Sequence, residues 1–97
     1  MKIFNWSHPN EFSTLIESLS HTEEDDKIIV QVTRQSYAGW YHIALIARLF
    51  PRRHIIFISR DRRLRVLLKQ YGFISYTSMQ SISDIIPEGA HIIQENL

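Results

Sequence analysis

Arginine is the residue whose numbers and spacing first suggest chemistry in this chain. Arg48, Arg52, Arg53, Arg60, Arg62, Arg63, Arg65 and Lys69 fall in one short stretch, opposed only by Asp61, a local charge of +7. Glu11, Glu17, Glu23, Glu24, Asp25 and Asp26 precede it, so the net charge of +1 conceals an acidic region and a basic one. Arg62, Arg65 and Lys69 stand at i, i+3 and i+7 and share a helix face. Arg60 stands at the start of the same helix, and Arg52 and Arg53 sit in the preceding turn. These six residues are the candidate contacts for phosphates or for an acidic protein surface. The plain alternative is a solvated helix face, partly neutralised by the acidic run at residues 23–26. Base-stacking aromatics of the kind used on single strands are not interleaved with these arginines, which weighs against a single-strand nucleic-acid platform.

Other chemistries find less material. The loop Thr33-Arg34-Gln35-Ser36-Tyr37-Ala38-Gly39 lacks both glycine patterns that bring backbone amides onto a phosphate. Arg34 and Ser36 form a candidate anion site at a helix start, against the plainer reading of Ser36 as an N-cap. The histidines, His8, His21, His42, His54 and His91, show no metal-ligand spacing, and His42 reads as a packing residue. The chain has no cysteine, which excludes disulfides, thiol nucleophiles and cysteine-bound zinc. No catalytic, cofactor-binding or metal-binding set is expected.

The elements that must position these residues follow from apolar pattern. With 44% hydrophobic and 22% charged residues, the chain falls in the ordinary globular range, and 97 residues make one domain. Ile28 to Val32 and His54 to Ser59 are apolar, β-branched runs without alternation, as in strands covered on both faces. Between them, Ser36 to Phe50 reads as a helix that Pro51 stops. Asp61 caps a second helix, Arg62 to Tyr71, with Leu64, Leu67, Leu68 and Tyr71 as its buried stripe and Gly72 beyond its end. Phe73 to Tyr76 is a third short strand. The order βαβαβ predicts adjacent parallel strands, with Leu64, Leu67, Ile56, Ile58, Ile29 and Ala44 buried together.

Outside this unit the signals are shorter. Residues 2–6 read as a short edge strand. Ser7, Pro9 and Glu11 mark a helix start, and Phe12, Leu15, Ile16 and Leu19 carry that helix to about Ser20. A fourth helix is expected from Ser78 or Ser81, with Met79, Ile82, Ile85 and Ile86, ending at Pro87. Residues 90–93 are a candidate last strand, followed by a frayed end. The middle helix is apolar on more than one side. Trp40, Tyr41 and Leu45 are therefore the candidate surface of a homodimer, unless the helix carrying Phe12 and Leu15 covers them.

Two local patterns resemble known families. Residues 58–72, with Asp61 at a strand-to-helix turn, resemble that turn of PIN-type nucleases. Such enzymes hold a divalent metal with clustered strand-end acids, whereas here the first clear strand ends in Thr33-Arg34 and Asp84 is the only later acid nearby. Residues 26–79 are similar to a small Rossmann-like domain on the cytoplasmic side of bacterial membrane-anchored, baseplate-like proteins. The similarity runs through Ile28 to Val32, Ile43 to Phe50, Ile55 to Asp61, Leu64 to Leu68, Gly72 and Ile74 to Tyr76. It implies a fold and no enzymatic activity, and this chain has no apolar run of membrane-spanning length.

The sequence thus points to an α/β, three-layer Rossmann-like domain over residues 1–97, with a short, mainly parallel sheet of four or five strands. The expected function is a non-enzymatic protein-interaction or regulatory module in the cytoplasm. It has no cofactor, its partner is an acidic protein, and a homodimer is in view. A nucleic-acid-binding accessory domain is the alternative, and a PIN-like metal-dependent hydrolase the third reading.

Overall fold

A computed structural model describes residues 1–51, 53–82 and 93–97, with residues 93–96 described by their backbone. Five strands are described: β1 (Lys2–Trp6), β2 (Lys27–Val32), β3 (His54–Ile58), β4 (Ile74–Tyr76) and β5 (Ile93–Asn96). They form one sheet in the order β4-β3-β2-β1-β5, with every neighbouring pair parallel. Three α-helices are described: α1 (Phe12–Ser20), α2 (Trp40–Leu49) and α3 (Arg62–Gln70). The expected pairing of the two apolar runs is present, with Ile28 opposite Ile55 and Val30 opposite Phe57.

From β1 to β4 the chain steps in one direction across the sheet. Crossovers of one hand then place all three helices on one face. Leu15 and Leu19 of α1, Ile43 and Ile46 of α2, and Leu64 and Leu68 of α3 share a core there with Phe4, Trp6, Val30 and Phe57. The other face carries Ile3, Ile29 and Ile58 under Ile82, which belongs to a 3-10 turn, Met79–Ile82. Sheet, helix layer and this thinner cover make a three-layer α/β arrangement.

The two faces correct the predicted core. Successive strand residues point to opposite sides, so Ile29, Ile56 and Ile58 pack away from Leu64 and Leu67. Continuous apolar runs hide this parity. Residues 2–6 are not an edge: β1 lies between β2 and β5, and Trp6 is the largest fully buried side chain. The Trp6 ring stacks near Phe12 at 5.2 Å, and its Nε1–H donates to the His8 carbonyl at 3.0 Å.

Other boundaries also move. The predicted start of the middle helix at Ser36 belongs instead to a 3-10 turn, Arg34–Ser36, and α2 begins at Trp40 with Gly39 at its N-cap. The fourth predicted helix is a 3-10 turn at its start; Ile85, Ile86, Pro87 and Gly89 lie outside the described residues. The last strand sits at 93–96, where a frayed end was expected, while residues 90–92 are outside the described set. Tyr71, placed in the buried stripe, is exposed because it follows the last turn of α3, where the chain already bends into Gly72. Gly72 has φ 83°, the left-handed conformation its position predicts. Among the described residues, no helix is long and apolar enough to cross a membrane.

Candidate functional site

Parallel βα units bring the carboxyl ends of the strands and the starts of the following helices to one end of the sheet. At that end a cleft of about 540 Å³ opens over β2, β3 and the residues after β4. Thr33, Arg34, Gln35, Arg60, Thr77 and Ser78 line it. In this sheet the strand order reverses direction between β1 and β5, which is where nucleotides bind in doubly wound folds. The cleft lies to one side of that point.

The β3–α3 turn is closed by its own hydrogen bonds. Asp61 Oδ1 accepts the Arg63 N–H at 3.0 Å, so its carboxylate serves as the N-cap of α3. The Asp61 N–H donates to Ser59 Oγ at 3.1 Å, and Arg65 Nη1 donates to the Ser59 carbonyl at 2.8 Å. Among the described residues no three His, Asp or Glu side chains gather as a metal would need. Asp84, the acid weighed beside Asp61, is outside the described residues.

Arg34 and Ser36 line one small hollow together, but the Ser36 hydroxyl is already engaged within its own turn. Ser36 is buried, and its hydroxyl donates to the Thr33 carbonyl at 2.7 Å while accepting the Ala38 N–H at 3.2 Å. Arg34 is exposed and faces the cleft. The capping role expected of Ser36 falls instead to His42, whose Nδ1 accepts the Gly39 N–H at 3.0 Å. His42 is buried among the rings of Trp6, Phe12 and Tyr41. Desolvation by that burial lowers its pKa below 6.5, which keeps Nδ1 free to accept.

The basic helix face is real and lies at the edge of the sheet. Arg62, Arg65 and Lys69 line a shallow groove of about 470 Å³ together with Val66, Phe73 and Ile74. Ile74 is 58% exposed. Strand β4 is the edge of the sheet. Tyr76 gives its carbonyl to the Ser59 N–H at 2.9 Å, so the backbone groups of Ser75 point the other way, to the open side. Arg60 is exposed at the cleft. Arg53 is at the other end of β3, about 17 Å away by strand rise. It lines a separate cleft of about 650 Å³ and has a buried Nη1 without a partner among the described residues. Arg52 is outside the described residues.

The acidic run lies away from Arg60 and the start of α3, while its Asp25 lines the same cleft as Arg53. It forms a turn in which Asp26 Oδ2 accepts the Glu23 N–H at 3.0 Å, and it leads into the start of β2. That is the end of the sheet opposite Arg60 and the start of α3, about 20 Å away along a six-residue strand.

Three exposed aromatic side chains stand near the start of α2. Tyr37, Trp40 and Tyr41 are 77%, 67% and 55% exposed. Tyr41 also stacks on the His42 ring at 3.9 Å, and Leu45 is half-buried. Phe12 therefore covers part of α2, as one of the two alternatives had it, and leaves Trp40 open. Sequence reasoning separated these aromatics from the arginines. The fold places both at the carboxyl end of the sheet, and one small hollow is lined by Arg34 and Tyr37 together with Asp61 and Leu64. The only signal for this was topological: residues that follow parallel strands meet at one end.

The fold and these surfaces define a small parallel α/β domain with a basic groove along its β4 edge and an aromatic, arginine-rich end. Compared with known proteins, the chain matches no family model, no curated protein and no solved structure.

Proposed function

We propose that this chain is a non-enzymatic docking module that seats an acidic segment of a partner protein in the groove between α3 and β4. The observation that carries this reading is the groove's mixed lining. Arg62 and Lys69 offer charge, while Val66 and Ile74 offer apolar surface that water now covers. Phosphates would use the charge alone. A protein segment with acidic and aliphatic side chains uses both, and covering the exposed half of each aliphatic side chain contributes about 1 kcal/mol. The outward amide and carbonyl of Ser75 add a point where an extended segment can pair with the sheet edge. Arg65 is partly committed to Ser59, so Arg62 carries more of the recognition than Arg65.

Titration of the chain with peptides that alternate Asp or Glu with Ile or Val tests this by calorimetry. Arg62→Glu with Lys69→Glu should weaken binding about tenfold or more, the scale of two lost charge-assisted contacts, and Ile74→Ser should weaken it further. Equal binding of a scrambled acidic peptide without aliphatic residues would defeat the proposal.

A further inference from the structure

We infer that the carboxyl end of the sheet is a binding site for single-stranded nucleic acid, separate from the α3–β4 groove and independent of it. The three parts of a nucleotide each find a counterpart there. Trp40 and Tyr37 are largely exposed aromatic rings, the kind of side chain on which bases stack regardless of sequence. Arg34, Arg60 and Arg63 are exposed cations for phosphates. By helical rotation Arg63 lies on the flank of α3 turned from the groove and toward α2, since Arg62, Arg65 and Lys69 occupy the β4 flank. Asp61 also lines the cleft, where its single negative charge caps α3 through the Arg63 amide and is outnumbered by the three arginines. Sugar hydroxyls and base edges meet Thr33, Gln35, Thr77 and Ser78 in the cleft of about 540 Å³, a volume suited to a nucleotide-sized group.

Tyr37 adds an independent observation. It is the one non-glycine residue with positive φ among those described, at 52°. A left-handed backbone costs a bulky residue roughly 1–2 kcal/mol. The ring is 77% exposed, so packing within the domain does not recover that cost. Strain kept for an outward-facing aromatic marks a site where the ring meets something else. A base fits that role with the surrounding cations, whereas an apolar partner would leave Arg34, Arg60 and Arg63 facing a surface with nothing to pair them.

The chain carries its own reporter. It has two tryptophans; Trp6 is 0% exposed, so quenching by a ligand reads Trp40. Titration with a homopyrimidine strand of about 12 nucleotides, within the range one small domain covers, should quench that emission to saturation. Affinity should fall with salt with a log–log slope of about −2, as for three phosphates on a single strand. Arg34→Glu with Arg63→Glu should reduce both affinity and slope. Trp40→Ala, followed by anisotropy of a labelled strand, should lower affinity about tenfold and leave the slope unchanged, because stacking releases no counterions. Tyr37→Gly should weaken binding while thermal stability holds or rises. The same sequence as a duplex should bind less tightly, since its bases are not free to stack. The Trp40→Ala variant should keep the blue emission of buried Trp6, which checks its folding, and a thermal melt checks the others. Absence of quenching at low salt, a Trp40→Ala variant that binds as tightly as the parent, or a duplex bound equally well would overturn the inference. So would self-association that hides Trp40 without any nucleic acid, which would assign the face to a second copy of the chain. Acidic-peptide binding in the groove should survive Trp40→Ala, so loss of one activity leaves the other readable.

Discussion

Helices α2 and α3 face the same core with opposite surpluses. Helix α3 has a narrow apolar stripe, Leu64 and Leu68, and a broad cationic back. Helix α2 buries Ile43 and Ile46 and still has Trp40, Tyr41 and Leu49 in water. A sheet of short strands covers one stripe per helix. Whatever a helix carries beyond that stripe is left for another purpose, and here the surplus is charge on one helix and aromatic surface on the other. The difference separates what the core requires from what it does not.

The largest test of that comparison is truncation inside and outside the stripes. Ile46→Ala in α2 and Leu68→Ala in α3 remove fully buried side chains and should each cost about 2–5 kcal/mol in denaturant unfolding. Trp40→Ala and Val66→Ala, on exposed surface, should change stability by about 0.5 kcal/mol or less. If Trp40→Ala cost as much as Ile46→Ala, the aromatic surplus would belong to a buried interface and the comparison would break.

The helix starts differ next. Asp61 caps α3 with a carboxylate, and Asp61→Ala should lower stability by about 1 kcal/mol, measured in the same way. Asp61→Asn should recover most of it, since the amide oxygen also accepts. Failure of asparagine to rescue would mean that the charge beside Arg62 and Arg63, more than the hydrogen bond, holds this turn.

The smallest effect is a pH dependence confined to α2. The folded pKa of His42 lies below its ordinary 6.5. Between those two values the unfolded chain binds more protons than the folded one, so stability rises with pH there. The contribution is complete above about pH 6.5 and is lost as pH falls through the folded value. Protonation would also place a hydrogen on the nitrogen that accepts the Gly39 amide. His42→Gln keeps an acceptor at the third helical position, as in a capping box, and thermal melts between pH 5 and 7 should then lose this part of the slope. An unchanged slope would place the titration elsewhere.

What the sequence made legible was local or followed from chain connectivity. Asp61 and Gly72 announced both ends of α3, and two apolar runs joined by a helix announced the β2–β3 pair. Three things needed the third dimension. Unbroken isoleucine runs do not say which residues face α3, so Ile56 and Ile58 were assigned to the wrong side. The Lys2–Trp6 run gave no sign of its second neighbour, because β5 lies about 90 residues further along the chain. The meeting of Arg34 and Tyr37 with Asp61 and Leu64 in one hollow depends on strand direction, and no spacing in sequence records it.

Strand β5 has one more consequence, which concerns time. It pairs with β1 in the register Lys2 opposite Ile93, a closure across about 90 residues. Each of β2, β3 and β4 can settle beside a strand already made, as soon as it leaves the ribosome. The second edge of β1 has no such neighbour until β5 has been made, about 90 residues later. Throughout that interval the nascent domain presents a bare parallel edge beside the fully buried Trp6, and long-range closure of this kind slows folding. Chaperone dependence and off-pathway pairing should therefore concentrate at β1, which is made before the other four strands and paired on both sides only after them.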